Sequence, residues 1–407
     1  TPCYVKITEW STATLTATLT VTVPLINPGE DTHLYLYYDP EHAEMTDWVT
    51  DAPAGPDDTW AYIYPIAYAA TDATVYQQDV VIHRSEGTSY EETIGDLKVW
   101  HVYVGNRCKS DYGDIRFTDA SGTALAYYLW PDYDSSSARF CVRLTGADAA
   151  GSLFVWYGNP TATTTSDGDA VYLVFDQFDG VSVDSAKWDA KGNLSVAGGV
   201  CTVIGAGLNT TGIASKQVFG TGVIAEIRHQ VPTGSTDQVA LMIGFSPYLN
   251  CNSGVNIYYT GNACHVWASG NAGAFATGGT RNAYAISRIV RSPSFTNLYN
   301  TAGDLKSRVA LTGDYPITFN SGGAPANYID WILVRAYSAT PPAATAFGPE
   351  QEVVTPSDMY LIYDAAPAPL TLAAYVDAYE YLSWTRRYRR PGAWKCQINR
   401  YLPAAKE

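Results

Sequence analysis

Residues 138–160 read "ARFCVRLTGADAAGSLFVWYGNP". In "FCVRL" the apolar Phe140, Val142 and Leu144 alternate with their neighbours, the period of a strand with one face in a core. "TGADAAG" then turns, and "LFVWY" is a second, aromatic strand closed by Asn159-Pro160. The same design stands earlier in the chain. "ATLTATLTVTV" (13–23) alternates without error, "INPGEDTH" turns, and "LYLYYDP" (34–40) ends in Asp39-Pro40. A strand, a Gly/Asp-rich turn and an aromatic strand ending in Tyr-x-[Asp/Asn]-Pro thus occur twice, which predicts a repeated β module whose first copy lacks its beginning.

Composition agrees with an all-β reading. The chain has 407 residues, enough for roughly two to four domains, with only 16% charged residues, 31 Tyr and 34 Gly. Tyr and Thr suit pleated, half-buried surfaces, and Gly and Pro supply turns. A net charge of −15 argues against nucleic acid as partner, because phosphate binding requires clustered Lys and Arg. Low charge with abundant Tyr, Trp and Asn suits contact with sugars or proteins. No run approaches the ~18 apolar residues of a membrane span. The chain opens at Thr1 without Met or a signal-peptide pattern, so it reads as processed or as a piece of a longer product. The seven cysteines show no C-x-x-C spacing, which argues against zinc. Cys251 with Cys264, and less so Cys108 with Cys141, are the disulfide pairs to consider, with buried free thiols the default.

Outward from the opening stretch, "GDIRFTDASGTALAYYLW" (113–130) reads as a hairpin turning at "TDASGT". Residues 51–79 form a connector of uncertain fold, and "WAYIYPIAYAATDATVYQQDVVIH" fits either one short helix or two strands. After the polar "TATTTSDGD" (161–169), residues 174–337 are a Gly-punctuated series of short alternating segments, the pattern of a β-sandwich. "SATPPAATAFGPEQEVVTPSD" (338–358) reads as an interdomain linker. The last 27 residues carry seven basic groups against one acid, in a chain that is acidic before them.

Three stretches carry resemblances. "DIRFTDASGTALAYYLW", "ARFCVRL" and "LFVWYGNPTATTTSDGDAVYLVFDQFDG" resemble an uncharacterised β module of prokaryotic and viral surface proteins, covering 80–172, and residues 1–50 resemble its last part. "FDQFDGVSVDSAKWDAKGNLSVAGGVCTV" and "YIDWILVRAYSATPPAATAFGPEQ" resemble the two ends of a concanavalin-like (laminin-G-like) jelly roll, covering 173–354. "DMYLIYDAAPAPLTLAAYVDAYEYLSWTRRYRRPGAWKCQINRYLP" (358–403) resembles the N-terminus of a siphovirus tail protein family, with Trp394 where Phe is usual. The expected organisation is therefore 1–50 partial module, 51–79 connector, 80–172 β-sandwich surface module, 173–354 jelly roll, and 355–407 linker with the start of a tail-attachment-type domain.

The jelly-roll resemblance implies a structural calcium between first and last strands, for which Asp176, Asp179 and Asp330 are the candidate ligands, with Asp184 beside them. The alternative for each is a surface carboxylate or turn cap. A sugar site would draw on Tyr248, Asn250, Asn252, Tyr258, Trp267 and Asn271, with Tyr259 and Tyr284 nearby; rings pack on sugar faces and amides fix hydroxyls. Core packing is the competing role for Tyr259 and Trp267. Trp384, Arg386, Arg387, Tyr388, Arg389, Arg390 and Trp394 form a candidate protein interface, with Arg and Trp as anchors. Single-stranded nucleic acid and a solvated strand face are the other readings of that cluster.

Catalysis is not expected. Glycoside hydrolysis needs two flanking carboxylates, which sandwich glucanases space as E-x-D-x-E on one strand, and "VIAEIRHQV" (223–231) offers only Glu226. H-E-x-x-H and G-x-S-x-G are absent, and His229 and His265 read as structural. Together the resemblances imply a virion structural protein of a tailed phage, a tail or tail fibre. Its partners would be other virion subunits, a second copy of itself and a host-surface polysaccharide; neither nucleic acid nor membrane is expected. The alternatives are a bacterial or archaeal cell-surface adhesin, and a glycan-cleaving enzyme.

Overall fold

The computed structural model describes residue 56 and residues 59–353, apart from 206, 208, 233–240, 248–253, 261–262, 269–270, 276–279, 312 and 323–325. Beyond these it gives strand backbone at 4–11, 16–22, 32–36, 360–363, 372–377, 380–383 and 394–399. Among the described strands every pairing is antiparallel except one, Val75–His83 with Leu97–Tyr103.

The opening stretch shows why a module forms around it. In Ser137–Thr145, Ala138, Phe140, Val142 and Leu144 enter one core with Val80, Ile82, Trp100 and Val102. Its sheet runs Tyr90–Ile94, Leu97–Tyr103, Val75–His83, Ser137–Thr145, Tyr127–Leu129. Gly151–Tyr157 belongs to the opposite sheet, between Tyr62–Tyr68 and Arg116–Thr118, and sends Leu153, Val155 and Tyr157 into the same core. The turn "TGADAAG" therefore carries the chain across the sandwich rather than along one sheet. Thr16–Thr22 and Thr32–Leu36 lie in different sheets, paired with Tyr4–Ser11 and Trp394–Asn399.

One open expectation for this region resolves, to two strands, and two others change. The connector at 51–79 supplies two strands of the module, Tyr62–Tyr68 and Val75–His83, because Tyr64, Ile66, Tyr68, Tyr76, Val80 and Ile82 all have core to fill. The turn at "TDASGT" forms, with Asp119 accepting from the Ser121 and Thr123 amides at 2.9 Å each. Its arms, however, diverge: Arg116–Thr118 joins one sheet and Tyr127–Leu129 the other. Finally, the described part of the expected linker 338–358, residues 338–353, is not free. Ala344–Phe347 and Gln351–Glu352 return to pair with Tyr62–Tyr68, and Ala344 and Phe347 pack on the module core. The break between the two returning strands falls beside Pro65, which has no N–H to offer and whose carbonyl accepts from Gly348 at 2.9 Å. The jelly roll therefore ends at Asn327–Ala336, and 344–352 belongs to the module.

In sequence, the jelly-roll sandwich sits between Tyr157 and that returning strap. Its eight-stranded sheet contains Asn327–Ala336 at the centre, flanked by Val223–Gln230 and Val200–Ile204, with Val174–Asp176 paired to its end. Its seven-stranded sheet runs Trp188–Lys191, Thr211–Phe219, Tyr315–Ser321, Leu241–Phe245, Val255–Tyr259, Cys264–Ala268, Asn271–Ala274. Alternate residues of both close one core around Ile243, Phe245, Ile257, Phe319, Ile329 and Val334.

Module and sandwich share a buried boundary. Tyr128, Trp130 and Cys141 of the module meet Phe175, Leu333 and Trp331, and Leu97 meets Ile224 and Val290. At its centre Asp79, fully buried, accepts from Arg335 Nη1 at 2.8 Å and from Arg139 Nη2 at 3.0 Å. Four sheets are thereby stacked in series. Cys108, Cys141, Cys201 and Cys264 are buried free thiols, which removes both considered disulfides; Cys251 lies outside the described residues. Burial pushes each of the four thiols up to about 12, in keeping with the default reading for such cysteines.

Candidate functional site

The seven-stranded sheet has one face in the core, so strand period dictates what the other face shows. Cross-strand register sets two rows there. Gly212, Asn320, Met242, Tyr258 and His265 are successive partners in one. Ala214, Thr318, Gly244, Asn256 and Trp267 are successive partners in the other. The rows are largely amide, hydroxyl and aromatic, and the edge strand extends them by Lys191, the partner of Gly212, and Asp189, the partner of Ala214.

Two glycines make room for the amides. A Cβ on Gly212 would stand 2.9 Å from Asn320 Oδ1 and collide with the Phe319 carbonyl oxygen. A Cβ on Gly244 would stand 2.6 Å from Asn256 Oδ1 and collide with the Val255 carbonyl oxygen. Thr318 donates to the Gly244 carbonyl at 3.1 Å and shares a hydrogen bond with Ser246 at 2.8 Å. Asn320 differs from these neighbours. It is 0% exposed, and neither Oδ1 nor Nδ2 has a hydrogen-bond partner. A buried amide in that state costs about 1–3 kcal/mol against a satisfied one.

Beside the amides lies an aromatic group. Tyr258 stacks on His265 at 4.8 Å between centroids and meets Trp267 edge-on at 6.4 Å. Met242 and Tyr258 are buried, while His265 and Trp267 are half-buried at the rim. Burial holds His265 below the usual imidazole value, so it is neutral at pH 7, and burial together with the Cys264 thiol raises the Tyr258 phenol.

Of the expected sugar-site residues, the structure brings Tyr258 and Trp267 together on this face. Asn271 is the register partner of Trp267. Tyr248, Asn250 and Asn252 lie outside the described residues. Tyr259 is core, as considered, and bonds Ser287 at 2.7 Å, while Tyr284 stacks under Arg228 on the other sheet. Asn320, Asn256 and Thr318 escaped the sequence reading. Their signal was present in "YPITFNS" and "VNIYY" as the polar members of alternating strands.

The three calcium candidates do not converge. Asp176 accepts from the Phe178 amide at 2.8 Å and from Trp188 Nε1 at 2.6 Å, so "FDQFDG" is a turn that anchors a core tryptophan. Burial raises the Asp176 carboxyl despite those bonds. Asp179 takes Gln177 Nε2 at 2.7 Å, and Asp330 is ion-paired with Arg228. Asp184 caps the Ala186 amide at 2.8 Å. Among the described residues no three His, Cys, Asp or Glu side chains are grouped to hold a metal. The basic cluster Trp384, Arg386, Arg387, Tyr388, Arg389 and Arg390 lies outside the described residues, and Trp394 opens a strand paired with Leu36.

Residues 111–191 match the family model described as "Domain of unknown function (DUF2341)". No curated protein matches the chain. Among solved structures, the chain is similar to an endo-beta-1,3-glucanase from Pyrococcus furiosus, 14% identical over 41% of this chain and 94% of that one, TM-score 0.33. It is similar to the laminarinase from Rhodothermus marinus, 16% identical over 41% and 97%, TM-score 0.31. It is also similar to the carbohydrate recognition domain of Emp47p, 11% identical over 40% and 93%, TM-score 0.34.

Proposed function

We propose that this chain is a glycan-binding protein whose ligand lies on the outer face of the seven-stranded sheet, against half-buried Trp267 and His265 and above the buried Asn320, Asn256 and Tyr258. The observation that carries this reading is the Asn320 amide, buried with both polar atoms unpartnered on the face that also presents Trp267. A sugar offers hydroxyls for the Asn320 amide and an apolar ring face for the indole of Trp267. The two rows hold a single carboxylate, Asp189, on the edge strand that also carries Lys191 and lies opposite the Trp267 end of the sheet, so the reading is binding. Hydrolysis would require an acid and a second carboxylate across the bond.

The test is a titration of the full chain against a panel of soluble neutral and acidic polysaccharides, with variants Trp267→Ala and Asn320→Leu. At least one ligand binds, and each variant lowers its affinity tenfold or more. Asn320→Leu keeps shape while removing an unsatisfied amide, so its melting temperature without ligand does not fall. Undiminished binding by both variants defeats the site. Release of reducing sugar by the purified chain defeats the binding-only reading.

The finer placement is on a phage tail, where such a face would meet a host polysaccharide. It is supported by the resemblance of residues 358–403, and its rival is a cell-surface adhesin. Immunogold labelling of the source culture separates them: gold on tails supports the virion, gold on cell envelopes with bare particles defeats it.

A further inference from the structure

The seven-stranded sheet ends at Trp188–Lys191, and among the described residues this strand pairs only with Thr211–Phe219. Its other edge is open. Which backbone groups lie along that edge follows from the ladder. The Lys216 amide donates to the Lys187 carbonyl at 2.8 Å, which makes these two a hydrogen-bonded pair. By alternation Asp189 with Ala214 and Lys191 with Gly212 are hydrogen-bonded pairs as well. Trp188 and Ala190 therefore turn their N–H and C=O groups away from the sheet. The Trp188 amide agrees with that direction, since it donates to the Asp184 carbonyl at 2.9 Å, outside the ladder. Ala190 presents a donor and an acceptor side by side along an exposed edge. It also lines an open cleft of about 320 Å³ shared with Val181–Val183, so that loop does not close over the strand. Trp188 points into the core, and strand alternation then sends Asp189 and Lys191, both exposed, to the outer face on either side of Ala190.

We propose that Trp188–Lys191 is a dimerisation edge, on which two copies of this chain pair antiparallel about a two-fold axis at Ala190 and join their seven-stranded sheets into one. Charge fixes the register. With Ala190 opposite the partner's Ala190, the two residues exchange both N–H···O bonds, as their outward groups allow. Asp189 then faces the partner's Lys191, and Lys191 faces the partner's Asp189. Both pairs fall in the closer, non-hydrogen-bonded spacing, where opposite charges on neighbouring strands stabilise a sheet. The nearest registers that keep the edge groups in phase lie two residues away in either direction. One sets Asp189 against the partner's Asp189, the other Lys191 against the partner's Lys191, and both repel. The sequence Asp-Ala-Lys is thus complementary to itself in one alignment alone, and its charges guard the edge against unspecific strand addition.

An isologous contact of this kind lays the two outer faces side by side, so the rows that end at Lys191 and Asp189 in one copy continue into those of the other. The pairing itself does not depend on what those faces bind.

The experiment is sedimentation equilibrium of the full chain at pH 7, with charge reversals at the edge. Wild type dimerises. Asp189→Lys and Lys191→Asp each set two like-charged pairs across the axis and weaken dimerisation about tenfold or more. The double variant, Asp189→Lys with Lys191→Asp, recovers it, because the exchanged pair is again complementary to itself. Ala190→Pro removes the two central bonds but none to Thr211–Phe219, since that N–H faces away from the sheet; it is monomeric, with circular dichroism showing it folded. Wild type that stays monomeric at about 0.1 mM, where any tighter contact is populated, overturns the proposal. So does a dimer that both single reversals leave at full strength, or a double variant no tighter than the singles.

Discussion

Substituting Asp79 by Ala tests whether module and sandwich are held as one body by charge as well as by apolar contact. Asp79 is 0% exposed, and the Arg335 side chain facing it only 1%. Arg335 Nη1 donates to Asp79 Oδ2 at 2.8 Å and its Nη2 donates to the Gln77 carbonyl. Arg139 completes the group from the other side, with a side chain 42% exposed. Removing the carboxylate leaves Arg335 as a buried, uncompensated cation, worth about 3–5 kcal/mol. Arg139 turns to solvent and adds little. At roughly 2–4 °C per kcal/mol for a body of this size, the melting temperature falls by about 6–20 °C, read by near-ultraviolet circular dichroism. Replacing both partners, as Asp79→Leu with Arg335→Met, recovers most of the loss, because apolar groups of similar volume need no desolvation. The pH dependence has a definite sign. Burial pushes the Asp79 carboxyl up, but Arg139 and Arg335 outweigh it and hold the group below the usual carboxylate range. A depressed value in the fold means stability present above the unfolded value of about 3.9, lost as pH falls through the folded one. The gap between wild type and Asp79→Ala therefore narrows below about pH 4. A loss under about 1 kcal/mol at pH 7 would refute the buried-charge account, as would a gap that stays constant down to about pH 3.

Two other substitutions probe the frame. Gly212→Ala drives a Cβ into the Phe319 carbonyl oxygen; backbone cannot yield cheaply, so stability drops by about 1–3 kcal/mol and polysaccharide affinity falls with it, measured by urea denaturation and titration. Glu350→Ala cuts the strap loose where it is tied, since Glu350 accepts from Tyr157 and pairs with Arg107 Nε at 3.0 Å. Burial and Glu350 both raise the Tyr157 phenol, which stays the donor. Amide exchange at 344–352 accelerates at least tenfold in that variant, while exchange in the sandwich strands is unchanged; unaltered exchange at 344–352 would show that backbone pairing alone holds the strap.

The alternation in "FCVRL" was readable because it is local: Phe140, Val142 and Leu144 fill the module core as their period requires. The other face of that strand misleads. Arg139, Cys141 and Arg143 look like a solvated side, yet Cys141 is fully buried and Arg139 reaches Asp79, because a second sheet covers them. No local pattern reports which distant sheet that is. The strap failed for the same reason. Its Pro- and Ala-rich sequence carries no strand period, and its partner Tyr62–Tyr68 lies near the other end of the described chain. The calcium candidates are not brought together, and each has another partner: the amide of Phe178 and the indole of Trp188 for Asp176, Gln177 for Asp179 and Arg228 for Asp330. Polar residues inside alternating strands, Asn320 and Asn256 above all, carried more information than the loop residues that drew attention for their exposure.

The order of the layers has a consequence for how a ligand is held. The module covers the eight-stranded sheet through Leu333, Trp331, Ile224 and Val290, so that sheet has no free face where they meet. The two rows that hold Asn320, Tyr258 and Trp267 lie on the seven-stranded sheet, at the far side of the stack. The sandwich is inserted into the module, and it is fastened where the chain enters and again where it leaves. At the entry, the Leu173 amide donates to the Val334 carbonyl at 2.8 Å, and Lys187 pairs with Asp169 at 2.7 Å. At the exit, Arg335 reaches Asp79, the Ala336 amide donates to Gln77 Oε1 at 2.7 Å, and Ser338 bonds Thr71 at 2.7 Å before Ala344–Phe347 joins the module's sheet. An insertion held at both ends cannot pivot about either one alone. Swinging the seven-stranded sheet relative to the module would mean separating the buried Asp79–Arg335 pair and the apolar boundary together, so on the proposed reading a glycan on that face would be held at a fixed orientation to the module.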